Sequence, residues 1–261
     1  MLVRSWNLFH GNTVPAGRHA YLDEMVSLAT ADDPDVLCLQ EVPAWALGRF
    51  TVGDLAARPS LGPLPIPAAL GQVLTEPNHG LFRSLFAGQG NAIQTGPRLR
   101  VLRHDLEVLN PRGFRSAQSA SLGLDVVMRL AWAKERRIVQ AARLRHDNGR
   151  TIVVANMHCT SSRDSRIPAV EIERAARFAL ACAEQDDIVV LAGDFNVVAG
   201  AAIYRQLTDT WGFSRPGPWI DHILVRGADA SEPRVWDDAR RARGSVLMSD
   251  HAPIEVEVDV Q

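Results

Sequence analysis

The chain has 261 residues, 46% of them hydrophobic and 22% charged, which is the composition of a globular protein rather than of a disordered or disulfide-stapled one. A formal net charge of -2 and a pI near 6.4 exclude a global basic field, so any binding of a polyanion must be local. The cysteines, Cys38, Cys159 and Cys182, are odd in number and widely spaced, which argues against a disulfide framework or a zinc pattern and fits a reducing compartment.

Taken in chain order, the first expected strand is Leu2 to Leu8. A helix follows around His19 to Ala29, where Tyr21, Leu22, Met25 and Leu28 recur at helical spacing. Asp32-Asp33-Pro34 breaks it, and residues 35 to 41 form an apolar strand ending in a carboxylate. A short helix is expected at 43 to 50. The Pro- and Gly-rich stretch 57 to 80 reads as an ordered rim loop. Further strands are predicted at Ala92 to Thr95, Arg98 to Leu102, Leu122 to Leu130 and Arg137 to Leu144.

Asp147-Asn148-Gly149 is a hairpin turn signal leading into the strand Thr151 to His158. Pro168 to Gln185 reads as an amphipathic helix. Strands follow at Asp187 to Phe195 and Trp219 to Arg226. The alternation of Ile254 to Val260 suits an edge strand or one solvated on one side. Strands outnumber helices and both are spread along the chain, which predicts one α/β domain over residues 1–261 with two packed sheets or one large mixed sheet. No apolar stretch is long enough to span a membrane, and the N-terminus has no signal-peptide pattern. The chain is therefore read as cytoplasmic, and a monomer is expected.

Polar residues fall at the strand ends: Asn7, Glu41, His158, Asp194 with Asn196, and Asp221, while Ser249-Asp250-His251 precedes the last strand. Each has an ordinary alternative. Asn7 can cap a turn, His158 can be a satisfied core histidine, Asp194 and Asn196 can form a turn, and Asp250 can pair with an arginine. The joint pattern favours chemistry. Glu41, Asp194 and Asp250 are hard oxygen ligands suited to Mg²⁺ or Mn²⁺ rather than zinc. His158 and His251 can donate to phosphate or move protons, and Asp221 is the partner that would orient a histidine.

These residues resemble a known family. Trp6-Asn7-Leu8, Leu39-Gln40-Glu41-Val42, Asn156-Met157-His158, Gly193-Asp194-Phe195-Asn196, Ile220-Asp221-His222-Ile223 and Ser249-Asp250-His251-Ala252-Pro253 occur in the order of the endonuclease/exonuclease/phosphatase superfamily. Gly90-Asn91-Ala92-Ile93 and Arg137 are weaker matches. The resemblance implies a four-layered α/β sandwich, with two central mixed β-sheets flanked by helices. It also implies roles. Glu41 is the principal metal ligand with Asn7 and Asp250 near it, for Mg²⁺ or Mn²⁺. Asp194 orients or deprotonates the attacking water, and Asn196 binds water or phosphate. His251, paired with Asp221, acts as acid/base; His158 contacts the phosphate from the other side. Arg137 and Asn91 are substrate contacts, with Arg136 as the neighbouring alternative to Arg137.

The expected function is metal-dependent hydrolysis of a phosphodiester, with DNA or RNA as the substrate. The runner-up is a phosphatase or phosphodiesterase for a small-molecule or lipid phosphate, and a third reading is a non-catalytic module of the same fold. The slightly acidic charge counts against a nonspecific nuclease. His222 is expected to face away from Asp221 and pack in the core. His10, His19, His79, His104 and His146 are read as surface residues, Trp211 and Trp219 as core or rim packing, and the run 234 to 243 as a solvated helix face.

Overall fold

The computed structural model describes residues 1–16, 21–43, 46–47, 55–57 and 89–261, with only the backbone at 55–57. One sheet runs, edge to edge, β11 (Arg234–Val235), β14 (Ile254–Glu257), β1 (Leu2–Asn7), β3 (Val36–Pro43), β5 (Gln89–Thr95) and β4 (Leu55–Ala57). The second runs β10 (Asp221–Arg226), β9 (Ile188–Asp194), β8 (Thr151–His158), β7 (Ile138–His146) and β6 (Leu99–Val108). A small ribbon joins β12 (Ala242–Arg243), β13 (Val246–Met248) and β2 (Thr13–Val14). Both large sheets are mixed: β1 with β3 and β8 with β9 are parallel, and their other pairings are antiparallel.

The layering follows from two-residue periodicity in strands buried on both faces. Val3, Val36, Cys38 and Ile93 point inward against Ala142, Ile152, Val154, Val190 and Ile223 of the second sheet. Their neighbours Trp6, Leu37 and Leu39 point outward, where α1 (Leu22–Thr30) covers them with Leu22, Met25 and Ala29. The outer face of the second sheet, with Val139, Val153, Ala155 and Leu191, is covered by Ile172, Ala175, Ala176 and Ala179 of α4 (Arg166–Ala181). Helix, sheet, sheet, helix is the four-layered α/β sandwich that the resemblance implied. Each fully buried large aliphatic side chain stabilises it by roughly 1.5–3 kcal/mol.

Three elements differ from expectation. The strand predicted at Leu122 to Leu130 is instead α3 (Val126–Ala133), preceded by an unpredicted helix α2 (Arg112–Ser121). Val126 and Val127 are β-branched, which favours strands, yet in the helix they are 68% and 74% exposed. What decides is the Asp125 carboxylate, which caps the helix by accepting from Met128 N at 2.8 Å. Buried Leu124 and Trp132, with half-buried Met128 between them, then recur at helical spacing over Ile167. Secondly, β14 is not at the edge of its sheet: β11 flanks it, and Glu255 is buried with Arg4 at 2.5 Å, whereas Glu257 is exposed. Thirdly, His146 is buried inside the β7–β8 hairpin, with Nδ1 2.9 Å from Asp147 Oδ1.

The start of the expected first helix at His19, most of the short helix at 43 to 50, nearly all of the 57–80 loop, and His79 lie outside the described residues. Among the described residues, no helix is long and apolar enough to cross a membrane.

Candidate active site

Strand direction alone gathers the polar strand ends at one edge. β1 and β3 are parallel, so Asn7 and Glu41 leave the first sheet together. β8 and β9 are parallel, so His158 and Asp194 face each other in register. β10 runs against β9 and therefore begins there, with Asp221 opposite Asp194. β14 runs against β1, so Asp250 and His251 enter at the same edge. β5 runs against β3 and β7 against β8, which brings Asn91 and Arg137 in from their N-terminal sides.

The two sheets are tied together just beneath. Asn7 Nδ2 donates across the gap to Asp194 Oδ2 at 3.1 Å. Gln40 Nε2 donates to Asn156 Oδ1 at 2.8 Å, and the Asn156 amide donates to Leu39 O and Ala92 O, each at 2.9 Å. Asn91 is buried with its amide on Ile138 O at 3.4 Å.

The backbone is strained where these side chains project. Phe9, His10, Glu41, Asn196 and Ser249 all have positive φ, between 47° and 62°, in the loops and strand ends of this edge. Such a conformation costs a non-glycine residue on the order of 1 kcal/mol or more, and persists where the surroundings over-determine it. At Glu41 the cause is a β-bulge, a register shift against β5 between Leu39 and Val42, which re-aims one side chain. Gly193 has φ 134°, and a Cβ there would stand 1.9 Å from Met157 O. Only glycine lets β9 pass that close to β8 just before Asp194.

Asp194 is buried. Its Oδ2 takes the Asn7 amide and its Oδ1 accepts from Asn196 N at 2.9 Å. Burial raises its carboxyl above the usual range, and the Asp221 charge adds to this. Asn196 Nδ2 donates to Cys159 O at 3.0 Å, joining the turn after β9 to the one after β8. His158 Nε2 lies 3.5 Å from Asp194 Oδ2 and 3.8 Å from Glu41 Oε1. Burial, then the Arg137 charge, hold His158 well below the imidazole range, so it stays neutral. Arg137 Nη1 stands 3.0 Å from His158 Nδ1, and its Nη2 pairs with Glu135 at 2.5 Å.

His251 Nδ1 lies 2.7 Å from Asp221 Oδ2. Burial pulls its pKa down, but the Asp221 hydrogen bond and the Asp221, Asp194 and Asp250 charges outweigh it and push the imidazole up to about 10. Asp194, Asp221 and His251 offer donor atoms that all lie within 4.8 Å of one another. Asp250 is half-exposed, and its carboxyl is raised by partial burial, with Glu41 and Asp221 adding and His251 opposing.

Several site residues had been read otherwise or passed over. His10 is not a surface histidine: its Nε2 sits 3.1 Å from Glu41 Oε2. Arg241, in the run expected to be a solvated helix face, is buried and donates to Ser249 O at 2.8 Å and Met248 O at 3.2 Å, pinning the loop that carries Asp250 and His251. Buried Asn110 holds the turn before Arg137, accepting from Arg137 N at 2.8 Å and donating to Glu135 O at 2.8 Å. Glu171 accepts from Thr160 N at 2.6 Å, Thr160 Oγ1 at 2.8 Å and Trp132 Nε1 at 2.6 Å. Asn110 and Glu171 left no local signal, because their partners are remote in sequence.

His222 faces the core as expected, edge-on to Phe195 and Tyr204, with Nε2 3.3 Å from Val197 O. Trp211 packs partly on the core under Arg177, whereas Trp219 is 58% exposed, two residues before Asp221.

Two sheets gather carboxylates, amides and histidines at one end of this four-layered sandwich. The sequence profile of the endonuclease/exonuclease/phosphatase family matches residues 5–251, and the chain belongs to that family. Its members are phosphoester hydrolases. Among solved structures, an endonuclease/exonuclease/phosphatase from Bacteroides vulgatus superposes with TM-score 0.66 at 14% identity, covering 99% of this chain and 98% of that one. The mannosyl-6-phosphatase Bt3783 of Bacteroides thetaiotaomicron gives 0.64 at 15% identity, with 99% of both chains covered. A humanised D. rerio TDP2 gives 0.57 at 17% identity, covering 100% of this chain and 99% of that one. These likenesses extend the agreement in fold. No curated protein matches the sequence.

Proposed function

We propose that the chain is a divalent-metal-dependent phosphodiester hydrolase acting on DNA or RNA, and that residues 1–261 form one such domain. The observation that carries the reading is the convergence of Asp194, Asp221 and His251 within 4.8 Å, beside Glu41, Asn7 and His158. Burial raises the proton affinity of Asp194 and Asp250, and the neighbouring Glu41 and Asp221 charges add to both. Asp221 Oδ1 is also buried without a partner among the described residues. An edge with this excess of hard oxygen donors fits a dication.

Glu41, Asn7 and Asp250 would hold Mg²⁺ or Mn²⁺, which when bound supplies Lewis-acid polarisation of a phosphoryl oxygen. The remaining chemistry belongs to the side chains. Asp194, raised toward the range of an effective base, takes a proton from the attacking water as the new P–O bond forms. Asn196 orients that water or the phosphate. His251, with Nδ1 fixed on Asp221, gives its Nε2 proton to the leaving oxygen as the old P–O bond breaks. Neutral His158 donates to a non-bridging oxygen from the opposite side, with Arg137 and Asn91 as further substrate contacts.

Trp219, exposed and two residues before Asp221 in the chain, supports a nucleic-acid substrate, because an exposed indole offers a face on which a base can stack. The test is hydrolysis of bis(p-nitrophenyl) phosphate and p-nitrophenyl phosphate with Mg²⁺, Mn²⁺ or EDTA, alongside Asp194→Ala. Diester cleavage that needs metal and disappears in the variant supports the reading. Preference for the monoester moves the assignment to a small-molecule or lipid phosphatase, and metal-independent turnover refutes the cation.

A further inference from the structure

His10 lies in the turn after β1, and its imidazole Nε2 is 3.1 Å from Glu41 Oε2. The turn is costly. Phe9, His10 and Gly11 adopt φ of 47°, 55° and 83° in succession, and Glu41 across the contact is itself at 52°. The turn is pinned on both sides: Phe9 N donates to Asn7 Oδ1 at 3.0 Å, Gly11 N to Leu8 O at 2.8 Å, and Tyr21 N to Gly11 O at 2.8 Å. Two strained residues, one in the turn after β1 and one in β3, thus meet through their side chains, and their surroundings are built to keep them there. His10 Nδ1 is buried with no hydrogen-bond partner among the described residues, so Glu41 is the polar contact that holds the ring.

The contact also sorts the two oxygens of Glu41. Oε2 is taken by His10, whereas Oε1 faces the cleft, 3.8 Å from His158 Nε2. A free carboxylate rotates about its last bond and offers either oxygen. One held through Oε2 presents Oε1 alone, in a fixed direction.

We propose that His10 is a positioning residue of the reaction centre: its Nε2–H fixes Oε2 of Glu41, so that Oε1 is presented to a divalent cation. This rests on the reading of Glu41 as the cation's main ligand. Partners that orient a ligating side chain in this way carry roughly 10–100-fold of a site's metal affinity.

The test reads Mn²⁺ binding directly, by electron paramagnetic resonance of the free ion and by calorimetry, in the absence of substrate. His10→Asn keeps a residue that tolerates the left-handed turn, but its amide nitrogen stands where Nδ1 stands and falls short of Glu41. His10→Gln places an amide N–H at the reach of Nε2. We expect His10→Asn to weaken Mn²⁺ binding about 10–100-fold with its melting temperature retained, and His10→Gln to recover most of the loss. Equal Mn²⁺ affinity in wild type and His10→Asn overturns the proposal, as does failure of His10→Gln to recover any affinity while folded. Glu41→Gln separates the two layers of inference. If it leaves Mn²⁺ binding intact, the Glu41 assignment fails; if it abolishes binding while His10→Asn does not weaken it, His10 alone is refuted.

Discussion

Asp221 Oδ2 and His251 Nδ1, thirty positions apart in the chain, share a hydrogen bond of 2.7 Å. It forms because β10 and β14, in different sheets, both begin at the same end of the sandwich. Asp221 fixes which imidazole nitrogen faces the cleft and stabilises the charged ring. Asp221→Asn keeps the shape but removes the charge. With the fold unchanged by circular dichroism, kcat on a diester substrate is expected to fall about 10²–10⁴-fold, the usual worth of positioned acid–base catalysis. A kcat within about twofold of wild type, far inside that range, would remove His251 from the acid role.

Gly193→Ala tests the close passage of β9 over β8. Its Cβ would meet Met157 O at 1.9 Å, and the backbone φ of 134° already disfavours a side chain. Strands this tightly packed must move apart, so the substitution is expected to cost about 3 kcal/mol or more. Urea unfolding checks this, and a loss under about 1 kcal/mol, the ordinary mutational average, would contradict the geometry.

Glu171→Gln probes the carboxylate that clamps Thr160 and Trp132. It accepts three donors, whereas a Gln offers one acceptor oxygen and turns an NH₂ toward another donor. At pH 7 the expected loss is about 1–3 kcal/mol. Burial, opposed by the hydrogen bonds from Thr160 and Trp132, raises the Glu171 pKa above its ordinary 4.5. The folded chain therefore keeps this proton to higher pH than the unfolded chain. The group's contribution is fully present below 4.5 and declines as pH rises through the higher folded value. Wild-type stability minus that of the variant should fall across that window and then level off. A difference that rises instead would reverse the assigned shift.

Trp219→Ala separates the substrate readings. If the exposed indole stacks on a base, KM for a short oligonucleotide should rise by the equivalent of about 1–3 kcal/mol, while turnover of bis(p-nitrophenyl) phosphate stays at the wild-type level. An unchanged oligonucleotide KM would argue against a nucleic acid seated on this rim.

The sequence by itself determined the strands of both sheet centres and the polar residue at each strand end. Runs such as Val36–Leu39 and Ile152–Ala155 are apolar on both faces, and only a doubly covered strand tolerates that. The motifs around Asp194 and Asp250 were legible because they are local and ordered along the chain. Tertiary structure alone decided the rest. Val126 and Val127 became helical because a cap and a buried stripe outweighed their strand preference. Arg241, Asn110 and Glu171 act on backbone atoms that are distant in sequence, and no spacing rule encodes such a partner. His10 looked like a surface residue because its partner, Glu41, arrives from another strand through a bulge that only the paired sheet reveals. Local patterns record which face of an element is buried; which side chains meet across elements is set by strand direction and register, and those exist only once the sheets are assembled.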